Sequence, residues 1–271
     1  MAKALQLLLI GAGKMGGAML EGWLRGGMEP AQITVVDPSP TPRILELAGP
    51  GLRLSPPLSE IGRMDVVVLA IKPQSLDAAA PILQAVTTNK TLLISVLAGK
   101  TVADIKLRAP ELCSVVRAMP NTPAAVGRGI TGCAASADVS PSQRALATKL
   151  LSAIGRVEWV SDESLIDAVT ALSGSGPAYV FYMVECMAAA GTAAGLPADL
   201  AMRLARATVE GAGELMFRDE TTAASTLRHN VTSPGGTTAA ALDVLMAQDG
   251  LKPLMEKAVA AAKLRAQQLS G

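Results

Sequence analysis

The sequence predicts an α/β chain in two parts, a doubly wound parallel-sheet domain over residues 1–160 and an all-helical domain over residues 161–271. Three observations carry this reading. Short, nearly continuous apolar runs alternate with helix-period segments as far as Val160. The first of these runs, Leu7 to Ile10, leads into Gly11-Ala12-Gly13-Lys14-Met15-Gly16, a Gly-x-Gly-x-x-Gly turn placed at the start of a helix. From Ser161 onward the strand signals vanish, and alanine, leucine and methionine recur at helical spacing to the end.

The glycine turn organises the first part. Met15, Met19, Leu20, Trp23 and Leu24 give the helix after it an apolar stripe, and a second strand, Ile33 to Val36, ends at Asp37. That acid falls about twenty residues beyond Gly16, the spacing of a Rossmann-type dinucleotide site. Gly11 permits the tight turn, Gly13 lets the backbone approach a pyrophosphate, and Gly16 lets helix and strand pack closely. The amides of Ala12, Lys14 and Met15 and the helix dipole would then face the anion. Asp37 suits the ribose 2′-hydroxyl of NAD. A 2′-phosphate, as in NADP, is repelled unless Arg43 or the hydroxyls of Ser39 and Thr41 compensate. An ordinary Asp-Pro turn is the structural alternative.

Asp65 to Ile71 reads as a strand buried on both faces. Its end, Ala70-Ile71-Lys72-Pro73, lies at the carboxyl edge, where such sheets bind ligands. Lys72 either meets cofactor ribose or phosphate or is a solvated loop lysine. Thr91 to Ser95 forms the next strand, with Val96, Leu97, Ala98 and Gly99 at the same edge. Leu112 to Met119 follows and runs into Pro120-Asn121-Thr122-Pro123. There Asn121 or main-chain groups meet a nicotinamide, or the loop is a plain turn. A helix from Pro141 to about Ala153 and a strand over Val157 to Val160 close the domain.

In the second part Ser161 is expected to cap a helix carrying Asp162 and Glu163 in its first turn. Ser173-Gly174-Ser175-Gly176-Pro177 interrupts the helical pattern. Gly176 to Leu196, with the single charge Glu185, has the length of a bilayer span, but its Gly-Pro start and amphipathic neighbours favour a helix surrounded by protein. Tyr179, Phe181 and Tyr182 are half of the six aromatic residues and mark the expected packing centre of this domain and of a dimer. Further helices are expected over Pro197 to Phe217 and Leu251 to Leu269.

Composition limits the function classes. A net charge of +1 gives no electrostatic reason to expect nucleic acid or an anionic membrane surface. Hydrophobic residues make up 50% and charged residues 17%, with a mean hydropathy of +0.37, so surplus apolar surface points to a large subunit interface. Cys113, Cys133 and Cys186 are far apart, without metal-ligand spacing, and are expected to be small buried hydrophobes in a reducing compartment. Met1-Ala2-Lys3 passes directly into the first strand with no signal-peptide pattern, so the cytoplasm is expected.

A second glycine loop, Ser233-Pro234-Gly235-Gly236-Thr237-Thr238, precedes a helix expected from about Ala239 to Gln248. Like the opening turn, it brings amides together at a helix start, here among hydroxyls, and suits a small carboxylate. A plain capping loop is the alternative.

With these motifs in place, the whole chain resembles pyrroline-5-carboxylate reductase. The resemblance rests on the Gly11 to Gly16 turn, Ala70 to Pro73, Met119 to Pro123, Asp167 to Thr170 with Ser173 to Tyr179, and Val231 to Thr238. It implies a Rossmann domain followed by a helical dimerisation domain, a homodimer often assembled further into a decamer, and reduction of Δ1-pyrroline-5-carboxylate to L-proline with NADPH or NADH. By position, Ser233 and Gly235 to Thr238 would hold the substrate carboxylate. Thr238 would also meet the ring nitrogen, as the one catalytic contact, with Asn230 and Glu163 nearby. Two departures stand out. Asp37 occupies a position that is often serine or another uncharged residue in NADPH-preferring relatives, and Pro57-Leu58-Ser59 lacks an asparagine the family tends to carry there. A related imine or β-hydroxyacid reductase would instead use an acid such as Glu163 or Asp167, and a non-catalytic nucleotide sensor would use neither.

Overall fold

The computed structural model describes residues 4–49 and 51–270, with Ser270 by its backbone alone. Met1 to Lys3, and with them the expectation about the start of the chain, lie outside the described residues. The apolar runs form strands β1 (Leu7–Ile10), β2 (Ile33–Val36), β3 (Arg53–Leu54), β4 (Val66–Leu69), β5 (Leu92–Ser95), β6 (Ser114–Met119), β7 (Gly129–Ala135) and β8 (Gly155–Trp159). They make one sheet in the order β3-β2-β1-β4-β5-β6-β7-β8. Helices α1 (Lys14–Arg25), α2 (Pro42–Leu47), α3 (Leu76–Val86), α4 (Val102–Arg108) and α5 (Pro141–Leu151) connect them.

Alternate residues of β1 enter different cores, which explains why the strand is apolar throughout. Leu7 and Leu9 pack with Trp23, Val68, Ile94 and Leu150, whereas Leu8 and Ile10 pack with Val67, Leu83, Leu93 and Ile105. Each such leucine contributes about 1.5–3 kcal/mol by leaving water. The Trp23 indole Nε1 donates to the Leu150 carbonyl at 2.8 Å, which satisfies its only polar atom in the core.

The sheet is mixed where an all-parallel one was expected, because β6 and β7 pair antiparallel, Arg117 opposite Ala134 and Met119 opposite Gly132. The turn joining them, Thr122–Val126 followed by Gly127, is too short for the crossover of a dozen or more residues that a parallel return needs. Sequence periodicity missed β7, whose glycines carry no apolar signal. At Gly132 a Cβ would lie 2.5 Å from Val169 Cγ1, so the strand is small-residued where a helix packs on it.

That helix belongs to residues 163–174, a 3₁₀ turn (Glu163–Leu165), α6 (Ile166–Val169) and a π turn (Thr170–Gly174). Asp162, not Ser161, is the cap: its carboxylate accepts from Ser164 N at 2.8 Å, and that hydrogen bonding lowers its pKa. Ile166 is fully buried against Met119 and Ala134. The compact units therefore divide at Ser175, with 262–271 returning to the first, whereas periodicity alone put the change at 160.

The second unit, 176–261, holds α7 (Gly176–Ala193), α8 (Ala198–Arg218), α9 (Ala224–Asn230), α10 (Thr237–Leu245) and the first part of α11 (Leu251–Ser270). α7 and α8 meet through small residues, Ala188 with Ala201 and Ala205 buried. The expectation that protein surrounds α7 does not hold in the single chain. Ala188 is its one buried residue, and Phe181 and Tyr182 are 63% and 66% exposed. No helix among the described residues is long and apolar enough to cross a membrane. Of the three cysteines only Cys133 is buried, and burial pushes its thiol pKa up to about 12; Cys186 is exposed on α7.

Candidate active site

At the first glycine turn the structure shows why glycine is needed. Gly11 has φ +90°, and a Cβ there would lie 2.6 Å from the Ala70 carbonyl oxygen. At Gly16 a Cβ would be 2.0 Å from the Gly11 oxygen. Gly13 is different, with no atom within 4 Å of its missing Cβ, so the backbone there is open to a ligand. Gly13 N-caps α1 with no side-chain cap and no acid in the first turn, and the first helical bond runs from Gly17 N to Gly13 O at 2.7 Å. The amides of Lys14, Met15 and Gly16 precede that bond and have no helical acceptor. A cavity of about 250 Å³ lined by Gly13, Lys14, Gly17, Thr41 and Arg43 adjoins them. A pyrophosphate fits this cradle.

Asp37 ends β2 beside the turn, but its carboxylate is directed inward. Oδ2 accepts from Ala12 N at 2.6 Å and Oδ1 from Ser39 N at 2.8 Å. The acid thus ties the glycine turn to the β2 loop. Ser55 supports it from behind: its Oγ donates to the Asp37 carbonyl at 2.9 Å and lies 3.2 Å from the Asp37 amide. Arg43 pairs with Glu21 at 2.8 Å and Glu46 at 3.2 Å, which keeps its pKa above the usual arginine value.

Ala70 and Ile71 line the turn at Gly11, and Val96 N bonds Leu69 O at 3.0 Å, so these residues meet at one carboxyl edge. Leu97 is buried, whereas Ala98 and Lys72 are exposed, Lys72 preceding the short 3₁₀ turn that begins at Pro73. Asn121 is held at both ends of its amide: Oδ1 accepts from Ile130 N at 2.9 Å and Nδ2 donates to Ser173 O at 3.2 Å. Its side chain therefore braces the loop, and its main-chain carbonyl accepts from Ala124 N at 3.1 Å.

Glu163, expected near the substrate, accepts through Oε1 from both Val102 N at 2.8 Å and Arg117 Nη1 at 3.2 Å. Asp167 approaches Arg117 Nη2 at 3.8 Å. Arg117 itself escaped sequence reasoning; its signal was a lone cation inside the apolar run Leu112 to Met119.

In the second unit, α10 begins at Thr237, two residues earlier than periodicity suggests, because Gly236 is its N-cap and Gly235 takes φ +69°. Gly236 N bonds Ser233 O at 3.0 Å, and Ala240 N makes the first helical bond to Gly236 at 3.2 Å. The amides of Thr237, Thr238 and Ala239 are thus without helical acceptors, and no acid sits in this first turn. Asn230 and His229 are exposed at the end of α9. The protein starts two helices, α1 and α10, in the same way, each capped by glycine with amides free for an anion.

Comparisons with known proteins agree with both halves of this description. A family model for pyrroline-5-carboxylate reductase dimerisation matches residues 163–269, and one for NADP oxidoreductase, coenzyme F420-dependent, matches residues 6–99. The pyrroline-5-carboxylate reductase of Haemophilus influenzae is 39% identical over 97% of each chain, and that of Synechocystis is 41% identical over 98% of each. Among solved structures, a pyrroline-5-carboxylate reductase from Coxiella burnetii superposes with a TM-score of 0.89 at 35% identity, covering 99% of this chain and 100% of that one. The Plasmodium falciparum pyrroline carboxylate reductase with NADP bound gives 0.77 at 27% identity, covering 98% of each. A glycine-capped helix start after a dinucleotide-type turn, a second one in a matched dimerisation segment, and full-length similarity of this degree place the chain in the pyrroline-5-carboxylate reductase family.

Proposed function

We propose that this chain reduces Δ1-pyrroline-5-carboxylate to L-proline with NADH or NADPH. The observation that carries the reading is the pair of glycine-capped helix starts, one suited to a pyrophosphate and one to a small carboxylate. Bound dinucleotide would supply the hydride. The chain's own contribution is to hold the two ligands. Gly13, Lys14, Met15 and Gly16 grip the phosphates on a turn shaped by Gly11 and Ala12, whose amides are bonded to Val36 and Asp37; Asp37 and Ser39 border the adenosine ribose, and Ala70 to Pro73, Val96 to Ala98 and Asn121 border the nicotinamide half.

The substrate carboxylate sits on Ser233, Gly235, Gly236, Thr237 and Thr238, with Asn230 beside it. The Thr238 hydroxyl orients the ring nitrogen. Glu163 is absent from this set, because its carboxylate is already engaged by Arg117 and Val102. The imine binds as its protonated iminium, and proximity and preorganised dipoles carry the rate. Asp37 inclines the site toward NADH.

The working form is a homo-oligomer: the family's dimerisation segment coincides with the helices whose apolar residues the single chain leaves exposed. Assembly to a decamer, a cytoplasmic location and the absence of nucleic-acid or lipid partners complete the proposal, the last supported by the near-neutral charge. The test is loss of reduced-nicotinamide absorbance when pyrroline-5-carboxylate is added. In Thr238→Ala, kcat/KM should fall by about 10- to 1,000-fold, the scale of one lost transition-state hydrogen bond. An unchanged value removes Thr238 from the mechanism.

A further inference from the structure

Arg117 is anomalous energetically. It lies in the middle of β6 with its side chain 4% exposed, where a guanidinium costs several kcal/mol to desolvate. Its recovery is incomplete: Nη1 bonds Glu163, whereas Nε and Nη2 have no hydrogen-bond partner, and Asp167 stands off at 3.8 Å. A buried guanidinium with unfilled donors, paired to a carboxylate side chain that is 32% exposed, is a poor stabilising device, and an apolar side chain of similar volume would serve a core better.

What the pair does provide is a link. The Glu163 oxygen that accepts from Arg117 also accepts from Val102 N, the first amide of α4. Val102 closes the β5–α4 connection, residues 96–101. The other end of that connection is fixed by β5 itself, by Leu97 N donating to Ser95 Oγ at 3.3 Å and by burial of Leu97. The connection is thus held at both ends, and its second tether runs through Arg117.

Its position gives the link a purpose. The strand order reverses direction at β1, with β2 on one side and β4, β5 and β6 on the other. A dinucleotide laid across that switch point with its adenosine ribose at Asp37 on β2 puts its nicotinamide half over β4 to β6. The β5–α4 connection is then the wall of that half alone.

We infer that Arg117, acting through Glu163, is a positioning residue that holds the β5–α4 connection against the nicotinamide half of the dinucleotide. The inference rests on the dinucleotide reading of the glycine turn and not on the identity of the imine. Its test is binding without substrate: the Kd of full-length protein for NADH and for ADP-ribose, which lacks the nicotinamide ring. In Arg117→Met the Kd for NADH should rise about tenfold, the equivalent of about 1.4 kcal/mol, while the Kd for ADP-ribose stays within about twofold of wild type.

Equal weakening of both ligands, as from general loosening, overturns the inference, and so does no change in either. Should Arg117→Met fail to fold, Glu163→Ala removes the same link and should give the same split. Glu163→Gln keeps an acceptor oxygen and should recover most of the NADH affinity. Wild-type NADH affinity in Glu163→Ala also overturns the inference. Failure of wild-type protein to bind either ligand would instead refute the dinucleotide reading.

Discussion

Asp37 performs two tasks that substitution can separate. Its Oδ2 is the acceptor for Ala12 N at 2.6 Å, and Ala12 is 1% exposed, so an amide deprived of that partner finds no water in its place. Leaving a buried donor unsatisfied costs about 1–3 kcal/mol. Its second task, under the proposed preference for NADH, is to discriminate against NADPH. Two unit charges about 5 Å apart at a partly exposed site repel by about 3 kcal/mol at an effective dielectric near 20. Salt screening leaves about 1–2 kcal/mol of that, equivalent to roughly 5- to 30-fold in relative preference. Asp37→Asn removes the charge but keeps an oxygen for Ala12. It should shift the NADPH to NADH ratio of kcat/KM toward NADPH by that factor, with a change in unfolding free energy below about 1 kcal/mol. Asp37→Ala should shift the ratio similarly and also lose the full stability term. Steady-state kinetics with each dinucleotide, together with urea denaturation, measures both quantities. A ratio unmoved in Asp37→Asn would show that the acid does not face the ribose, and undiminished stability in Asp37→Ala would show that the Ala12 bond contributes nothing net.

Phe181 is 63% exposed on α7 in the single chain, so if a second copy covers that face, Phe181→Glu buries an unpaired charge there. The variant should sediment as a smaller species than wild type at equal concentration, and an unaltered mass would remove α7 from the interface. Gly132→Ala should destabilise by about 1–3 kcal/mol through overpacking against Val169, whose Cγ1 lies 2.5 Å from the new Cβ. In the double variant with Val169→Ala the combined loss should be smaller than the sum of the two single losses, and strict additivity in chemical denaturation would refute that contact as the cause.

Elements buried on both faces were readable in the sequence, since a strand such as β4 has no polar side to confuse the pattern. β7 was not, because Gly129, Gly132 and Ala134 are small for reasons set by what packs on them, and β3 is only two residues long. The glycine turn was legible for a similar reason to β4. Its residues are dictated locally, by a φ of +90° at Gly11 and a close approach at Gly16. Asp37 was readable as a residue type at a spacing, but not its bonds to Ala12 and Ser39, which depend on how the loop returns. The tie between Arg117 and Glu163 was hidden by distance along the chain, because partners 46 residues apart share no local pattern. The start of α10 was misplaced by two residues because its signal is a glycine cap and not an apolar stripe.

These partnerships bear on where the imine proton comes from. The acids that sequence reading offered are engaged, Glu163 with Arg117 and Val102 and Asp167 facing Arg117, and the one histidine, His229, is exposed at the end of α9. The proposed mechanism therefore has the nitrogen arrive already charged, with Thr238 only orienting it. The pH dependence of kcat/KM should then fall on the alkaline side with the ionisation of the free iminium, not of a protein group. His229→Ala should leave both the rate and the alkaline limb in place, within about twofold of wild type. Measuring kcat/KM against pH for both proteins decides the matter. A limb that moves with the histidine, or that lies well away from the independently titrated iminium, would mean that a side chain delivers the proton.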